Sequence, residues 1–199
     1  YPFTASTLMP RAALAGLAGI LMEEGHEVAV KDFGTLDGLA HFDHAAVAQA
    51  AAGNGGMRRA RWRLAECETA RCARAAAALA AGGPASLLVF EVARRADLPA
   101  TLALCRALRT RMPEAAMLWT GAAAGQYAEV LAPAPAFRAL HAAIVTGDPE
   151  AAAAAVAAQV AAKRAPFHGP NLLVAGDGAA PLATSLEPAR DLDTLPWPT

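Results

Sequence analysis

The chain has 199 residues, which is enough for one three-layer α/β domain with a tail and too few for two full domains. Its formal net charge of -1 gives no broad basic field, so composition does not support a nucleic-acid or anionic-membrane partner. Hydrophobic residues make up 55%, but many are alanine, and Arg, Glu, Gln or Gly interrupts each run before about 18 strongly apolar residues accumulate. A transmembrane span is therefore not predicted.

The three cysteines form an odd set without the paired short spacings of a zinc site or a disulfide framework: Cys67, Cys72 and Cys105. We interpret them as reduced thiols of a cytoplasmic protein. The chain begins Tyr-Pro-Phe-Thr, with neither an initiating Met nor the charged-then-apolar pattern of a signal peptide. We expect it to begin inside a longer protein.

The first predicted element is a helix over residues 10–24, because its apolar residues share one face and Gly25 suits the position after the C-cap. The apolar run 27–31 then predicts a short strand that ends at Asp32. A helix, a glycine and a strand in this order are typical of the second half of a βαβ crossover. The strand before the helix should end near residues 1–3 and be largely missing.

The middle of the chain alternates between helical and strand patterns. Residues 39–81 have a helical pattern, with a glycine-rich turn at 53–56 between two helices. Later runs predict strands at 86–90, 116–119 and 142–145, and helices at 99–111, around 127–131 and at 149–163. Short apolar strands that alternate with helices indicate a doubly wound, flavodoxin-like (Rossmann-like) α/β fold, with a five-stranded parallel sheet between two helical layers.

The sequence changes character after Lys163. Prolines recur from residue 166 onward, and they exclude helix and favour an extended backbone. Only residues 171–174 predict a strand there. We therefore predict a domain over residues 1–165 and an extended proline-rich connector over residues 166–199.

Right-handed crossovers bring the loops that follow the strands to one edge of the sheet, where ligands of such folds bind. These loops are mostly small or hydroxyl-bearing: residues 4–9, 32–38, 90–94, 120–125 and 146–150. Small residues let a ligand approach the backbone, and helix N-termini offer N–H groups to an anion. Plain structural roles explain the same features: a helix cap at Ser6 or Thr7, a tight turn at 121–125, and acidic residues at 148–150 that complement a helix dipole.

Motifs for catalysis and metal binding are missing from the sequence. His41 and His44 are the only close histidine pair, and a solvated loop explains them better than a metal site does. There is no Gly-x-Ser-x-Gly elbow, no phosphate-binding Gly-Lys-Ser/Thr loop and no Cys-His nucleophile arrangement. We predict no catalytic residue and no metal ligand in this chain.

Five stretches of the sequence, taken in chain order, match motifs of a known protein family. Residues 25–32 read Gly-His-Glu-Val-Ala-Val-Lys-Asp, residues 119–123 with 127–131 form a small-residue turn and a helix, and residues 145–150 read Val-Thr-Gly-Asp-Pro-Glu. Residues 171–178 form a short apolar run and a Gly-Asp-Gly turn, and residues 191–198 read Asp-Leu-Asp-Thr-Leu-Pro-Trp-Pro. In this order, over nearly the whole chain, they resemble the cobalamin-binding domain of cobalamin-dependent radical S-adenosylmethionine enzymes. The last stretch, which resembles the connector before the catalytic barrel, is the most specific.

The resemblance implies that the chain binds cobalamin and holds methylcobalamin with its own base displaced from cobalt. It implies cofactor-binding residues in the matching loops: Thr4, Ser6, Thr7, Leu8, Phe33, Gly34, Glu91, Val92, Gly121, Ala122, Ala123, Thr146, Gly147 and Asp148. Asp32 is followed by Phe33 and Gly34, so this loop offers no histidine to cobalt. We hypothesise that Phe33 or a side chain from residues 34–42 covers the lower face.

The resemblance also implies a partner in the same polypeptide, a radical S-adenosylmethionine barrel that carries a [4Fe-4S] cluster and S-adenosylmethionine. The implied reaction is methyl transfer to an unactivated carbon of a small-molecule or peptide substrate, although some relatives form rings or rearrange their substrate. The cluster motif Cys-x-x-x-Cys-x-x-Cys is absent from the chain. The chain is therefore not expected to cleave S-adenosylmethionine by itself.

Two other classes of protein remain open from the residues alone. One is a regulatory or interaction domain of receiver-like or flavodoxin-like fold that binds no corrin, although Glu91 is the only acid at the end of the third predicted strand, where a receiver needs a Mg²⁺ site. The other is the N-terminal half of a nucleotide-sugar transferase, with the proline-rich tail as an interdomain linker. Fold alone does not decide between these functions.

Overall fold

The structure is a computed structural model that describes residues 12–31, 56–164, 167–174 and 182–183. The longer helices are α1 (Ala12–Glu23), α2 (Gly56–Ala81), α3 (Leu98–Arg111) and α7 (Pro149–Ala161). Three short helices lie between the second and third strands: α4 (Ala122–Gln126), α5 (Ala128–Leu131) and α6 (Pro135–Arg138). The strands are β1 (Leu87–Glu91), β2 (Ala116–Thr120), β3 (Ala142–Val145), β4 (Leu172–Val174) and the two-residue β5 (Leu182–Ala183).

The strands form one mixed sheet in the order β1-β2-β3-β4-β5. The β1-β2 and β2-β3 pairs are parallel, with Glu91 opposite Thr120 and Trp119 opposite Ile144. The β3-β4 and β4-β5 pairs are antiparallel. The predicted mixture of strands and helices is confirmed, but within the described residues the sheet is four strands with a two-residue fifth, and three of them are parallel.

Successive side chains of a strand point to opposite faces of the sheet. Apolar residues therefore stand on both faces, and helices cover both. On one face, Met117 and Trp119 of β2 join a buried cluster that includes Cys105 and Leu108 of α3 and Phe137 of α6. The rings of Trp119 and Phe137 meet edge to face, with their centroids 5.1 Å apart.

The opposite face of β2 presents Leu118. It packs in a second buried cluster with Leu17 of α1, Val156 of α7 and Leu172 of β4. Helices α1 and α7 are therefore neighbours on this face. The arrangement gives the three-layer architecture that the alternating pattern predicts.

Two predicted elements differ from the structure. Residues 27–31 were expected to form a strand, but they have no strand assignment, and Val30 is 50% exposed. A strand requires a hydrogen-bonded neighbour, and local β propensity alone does not supply one. The predicted loop at 120–125 is mostly helix α4, because its alanines favour helix once Gly121 has turned the chain.

The other predicted strands are either confirmed or fall outside the described residues. The strands predicted at 86–90, 116–119, 142–145 and 171–174 correspond to β1, β2, β3 and β4 within one residue at each end. The partial strand expected near residues 1–3 lies outside the described residues. Strand β4 belongs to the segment assigned to the connector and pairs with the sheet, while the domain boundary at 165 stays a prediction.

Within the described ranges, none of the helices combines the length and the apolar character needed to cross a bilayer.

Candidate functional site

A cleft of about 370 Å³ lies at the edge of the sheet where the three parallel strands end. The last residues of these strands, Glu91, Thr120 and Val145, all line it. Its walls come from the first half of α1, from the turn into α4 and from the turn into α7: Ala13, Leu17, Gly121, Ala122, Gly125, Gln126, Thr146, Gly147 and Pro149. We call this space the edge cleft.

Five of the residues predicted from sequence line the edge cleft together: Glu91, Gly121, Ala122, Thr146 and Gly147. They come from three separate loops that are brought to one edge because their strands are parallel neighbours. Ala122, Thr146 and Gly147 are exposed, so a ligand can reach them.

Val92 and Ala123 lie behind the edge cleft and not in its wall. Val92 is fully buried, and its N–H donates to the carbonyl of Thr120 at 2.7 Å. The Val92 carbonyl accepts from the N–H groups of Ala123 at 3.0 Å and Ala124 at 3.3 Å. These two amides at the start of α4 are therefore engaged by the protein.

Gly121 forms the turn between β2 and α4, and its position requires glycine for two reasons. Its φ is +96°, a conformation that L side chains rarely adopt. A Cβ at this position would also lie 2.8 Å from the Val92 carbonyl oxygen. The close approach of these two loops defines the wall of the edge cleft beside Glu91.

Asp148 is the N-cap of α7. One of its carboxylate oxygens accepts from the N–H of Glu150 at 2.9 Å and from that of Ala151 at 3.5 Å. Asp148 therefore has the structural role of a helix cap. Its carboxylate accepts from the N–H groups that a bound anion would otherwise use. Burial raises the pKa of Glu150, and the neighbouring Asp148 carboxylate raises it further.

Asn171 supports the turn between β3 and α7 from behind. It is fully buried, its φ is +59°, and its carbonyl accepts from the N–H of Thr146 at 2.8 Å. A Cβ on Gly147 would lie 2.5 Å from the Asn171 side-chain oxygen. The Asn171 side chain therefore fills the space directly behind the Thr146–Gly147 wall.

Six predicted cofactor-binding residues lie outside the described residues: Thr4, Ser6, Thr7, Leu8, Phe33 and Gly34. The same holds for His41 and His44 and for the hypothesis that residues 33–42 cover the lower face of cobalt. These assignments stay predictions.

Sequence reasoning missed several lining residues. Thr120 was placed in a loop at this edge but not among the cofactor-binding residues, and Val145 ends a predicted strand, so its position at the edge could have been inferred from the parallel sheet. Ala13 and Leu17 line the edge cleft because α1 crosses the sheet beside α7. Helix periodicity marks them as apolar, but it does not say which end of the sheet the helix crosses.

The edge cleft offers mainly hydrogen-bonding and apolar groups. Its described lining has hydroxyl, amide and carboxylate groups and exposed backbone, but no thiol, imidazole or lysine. Cys72 of α2 and Cys105 of α3 are buried on the same face of the sheet and form no disulfide, and the Cys72 thiol donates to the carbonyl of Ala100 at 3.4 Å. Among the residues that the structure describes, no group of three His, Cys, Asp or Glu side chains is arranged to hold a metal ion.

Fold and cleft together define an α/β protein with a candidate ligand-binding cleft at the carboxyl ends of its parallel strands. Comparison of the chain with models of known protein families, with curated proteins and with solved structures finds no match. The function is therefore argued from the cleft and the sequence motifs.

Proposed function

We propose that the chain is the cobalamin-binding module of a radical S-adenosylmethionine enzyme. The observation that carries the proposal is the convergence of matching motifs. The stretches at 119–123 and 145–150, which resemble that family in sequence, come from different crossovers and meet at the edge cleft. The stretch at 171–174 contributes Asn171, which supports the same wall. The parallel strands bring both stretches to one edge of the sheet, so residues of both can contact the same ligand.

The residue types suit part of the cofactor. The edge cleft, at about 370 Å³, lies near the lower end of the range of about 300–1,000 Å³ usual for ligand pockets. It suits the nucleotide tail, and the corrin ring would remain outside it. Leu17 and Val145, each 3% exposed, form an apolar floor for a flat aromatic base, and the hydroxyl of the exposed Thr146 can bond to the ribose or phosphate.

The small residues have a matching role. Gly121, Ala122 and Gly147 leave the backbone open to a ligand without long side chains in the way. When bound, cobalamin would supply a transferable methyl group carried on cobalt. The residues of this chain would bind and orient the tail and exclude water from it.

The full reaction belongs to a longer polypeptide in this proposal. A barrel that carries a [4Fe-4S] cluster and S-adenosylmethionine would generate the substrate radical and receive the methyl group at an unactivated carbon. Reading the gene beyond the codon for Thr199 tests this part directly. A Cys-x-x-x-Cys-x-x-Cys motif in the next domain supports the enzyme, and an unrelated domain overturns it.

Binding is tested by titrating the chain with hydroxocobalamin and following the visible spectrum. We expect saturable binding and, after reduction, a cob(II)alamin electron paramagnetic resonance spectrum without nitrogen superhyperfine splitting, since the base is displaced. Cobinamide, which lacks the nucleotide tail, should bind more weakly. A folded chain that binds neither compound overturns the proposal.

A matched pair of variants locates the binding site. Ala122 is exposed and lines the edge cleft, whereas Ala158 is exposed on α7, about 14 Å along the helix from its N-terminus. Ala122→Trp should weaken hydroxocobalamin binding at least about tenfold by filling the cleft, and Ala158→Trp should leave it unchanged. Equal affinities for the two variants would place the ligand elsewhere.

A further inference from the structure

We infer that Glu91 determines ligand specificity in the edge cleft by accepting a hydrogen bond from a neutral donor group of the ligand. The inference rests on the proposed function, because the ligand considered is cobalamin. The resemblance implies only that Glu91 binds the cofactor, and the inference adds which kind of ligand group it selects.

The placement of Glu91 is the first support. It is the last residue of β1, lies opposite Thr120 in the parallel register, and lines the edge cleft. The residue is half-buried, and its Oε2 atom is shielded from solvent. Because a shielded atom is closed to a ligand as well as to water, contact with a ligand falls to the part of the Glu91 side chain that stays accessible at the edge cleft.

The chemistry of the lining is the second support. Among the described residues that line the edge cleft, Glu91 alone carries a charged side chain. Thr120, Thr146 and Gln126 can each donate or accept a hydrogen bond, whereas an ionised carboxylate only accepts. A carboxylate has about four lone-pair sites, so it can accept from a ligand beside any partner in the protein. At Glu91 the edge cleft therefore favours a ligand group that donates a hydrogen bond over one that only accepts.

The backbone around Glu91 is held in place. The next residue, Val92, is fully buried and bonded through its N–H to Thr120 and through its carbonyl to the start of α4. Because this backbone is fixed, a ligand has to order only the Glu91 side chain and not the loop that carries it, which favours selective binding.

Cobalamin offers the required donors in two places. The primary amides on the corrin side chains have N–H groups, and the ribose of the tail has hydroxyl groups. Both present a neutral donor to a carboxylate. A ligand that places an anionic oxygen at the same point meets a second acceptor and loses the hydrogen bond.

The experiment measures dissociation constants for hydroxocobalamin and cobinamide with Glu91→Gln and Glu91→Ala. Hydrogen bonds to charged groups imply that Glu91→Ala binds hydroxocobalamin about 10- to 100-fold more weakly, with Glu91→Gln in between because its amide oxygen still accepts. Glu129 is exposed on α5 and outside the cleft lining, so Glu129→Gln is the control for the charge change.

Cobinamide distinguishes the two donors. If a corrin amide donates to Glu91, Glu91→Ala weakens cobinamide binding by the same factor as hydroxocobalamin binding. If a ribose hydroxyl donates, the substitution weakens only hydroxocobalamin binding. Either pattern supports the inference.

Specificity is tested with cobalamin derivatives in which one side-chain amide, or the ribose 5′ carbon, has been converted to a carboxylate. The wild type should discriminate against one of these derivatives, and Glu91→Gln should reduce that discrimination because its amide can donate to the new carboxylate. A merely structural role for Glu91 would weaken all ligands equally. The inference alone is overturned if the Glu91 variants bind within twofold of wild type, or if they lose the same factor of affinity for every derivative. If the wild type binds none of these ligands, the proposed function is overturned as well.

Discussion

Gly147 lies directly against the buried side chain of Asn171: a Cβ on this glycine would be 2.5 Å from Oδ1 and 2.6 Å from Cγ of Asn171. Asn171 is fully buried and cannot swing into solvent. Gly147→Ala should therefore lower the free energy of unfolding by about 1–3 kcal/mol, the usual cost of overpacking. Urea denaturation measures this change.

A double-mutant cycle tests whether Asn171 is the cause. Asn171→Gly removes the side chain and tolerates the φ of +59°. In that background the added cost of Gly147→Ala should fall to a few tenths of a kcal/mol, because contacting residues are not additive. Additive costs would show that the methyl group meets something else.

Gly121→Ala should be more costly. The substitution places a side chain on a φ of +96° and a Cβ 2.9 Å from both the Val92 carbonyl carbon and its amide nitrogen, all of them backbone features that cannot rotate away. We expect a loss of at least about 2 kcal/mol in the free energy of unfolding. Because Val92 follows Glu91, the cobalamin binding proposed above should weaken as well.

Gly16 is the control for Gly121. It lies within α1, and a Cβ there would meet nothing within 4 Å. Gly16→Ala should raise the free energy of unfolding by about 0.5–1 kcal/mol, because alanine is the better helix former. Equal effects at the two glycines would contradict the assigned role of the Gly121 turn.

The sequence predicts the parallel core of the fold better than its margins. Strands β1, β2 and β3 were placed within a residue because their apolar runs pack under helices on both faces, with β2 and β3 almost wholly buried and β1 partly buried. The orientation of β4 was not predicted, because three apolar residues carry no signal that separates parallel from antiparallel pairing. Residues 27–31 have the composition of a strand, but pairing depends on a partner.

The residues of the candidate site likewise include some that the sequence could predict and some that it could not. Glu91, Gly121 and Thr146 could be predicted because they follow strands that end at one edge. The roles of Val92 and Asp148 could not, since whether an amide or carboxylate faces a ligand or its own backbone depends on the tertiary path. Asn171 was predicted as part of a strand, and its burial behind Gly147 depends on β4 returning antiparallel.

Arg109 joins three segments at the amino ends of the strands. Its guanidinium donates to the carbonyls of Pro113 at 2.6 Å, Ala115 at 2.7 Å and Leu140 at 2.5 Å. Arg109→Met removes these donors and should lower the free energy of unfolding by about 1–3 kcal/mol. Arg106, exposed on the same helix, is the matched control, and Arg106→Met should change it by less than about 0.5 kcal/mol.

Ligand binding distinguishes a structural role of Arg109 from a role in the edge cleft. Arg109 lies at the opposite ends of the strands from the edge cleft, so Arg109→Met should keep the wild-type affinity for hydroxocobalamin while the protein is folded. Titration at a temperature well below the unfolding midpoint checks this. A large loss of affinity in the folded variant would contradict it.

Cys105 makes the free energy of unfolding depend on pH in the alkaline range. Burial raises the pKa of this thiol from 9.0 to about 12, while the Trp119 indole and the Arg109 charge act in the opposite direction. Between these two values the unfolded chain loses the thiol proton and the folded chain keeps it. The contribution of Cys105 to stability is therefore complete below pH 9.0 and is lost as the pH rises toward about 12.

Cys105→Ala removes this titration and leaves the other groups of the protein in place. At pH 8 the wild type should be more stable than the variant, because the thiol fills its space in the core. The difference in the free energy of unfolding should shrink steadily as the pH rises above 9.0, since only the wild type bears the growing cost of keeping that thiol protonated. Urea denaturation of both proteins at several pH values between 8 and 10.5 measures it, and a difference that stays constant over this range would show that the folded thiol titrates normally.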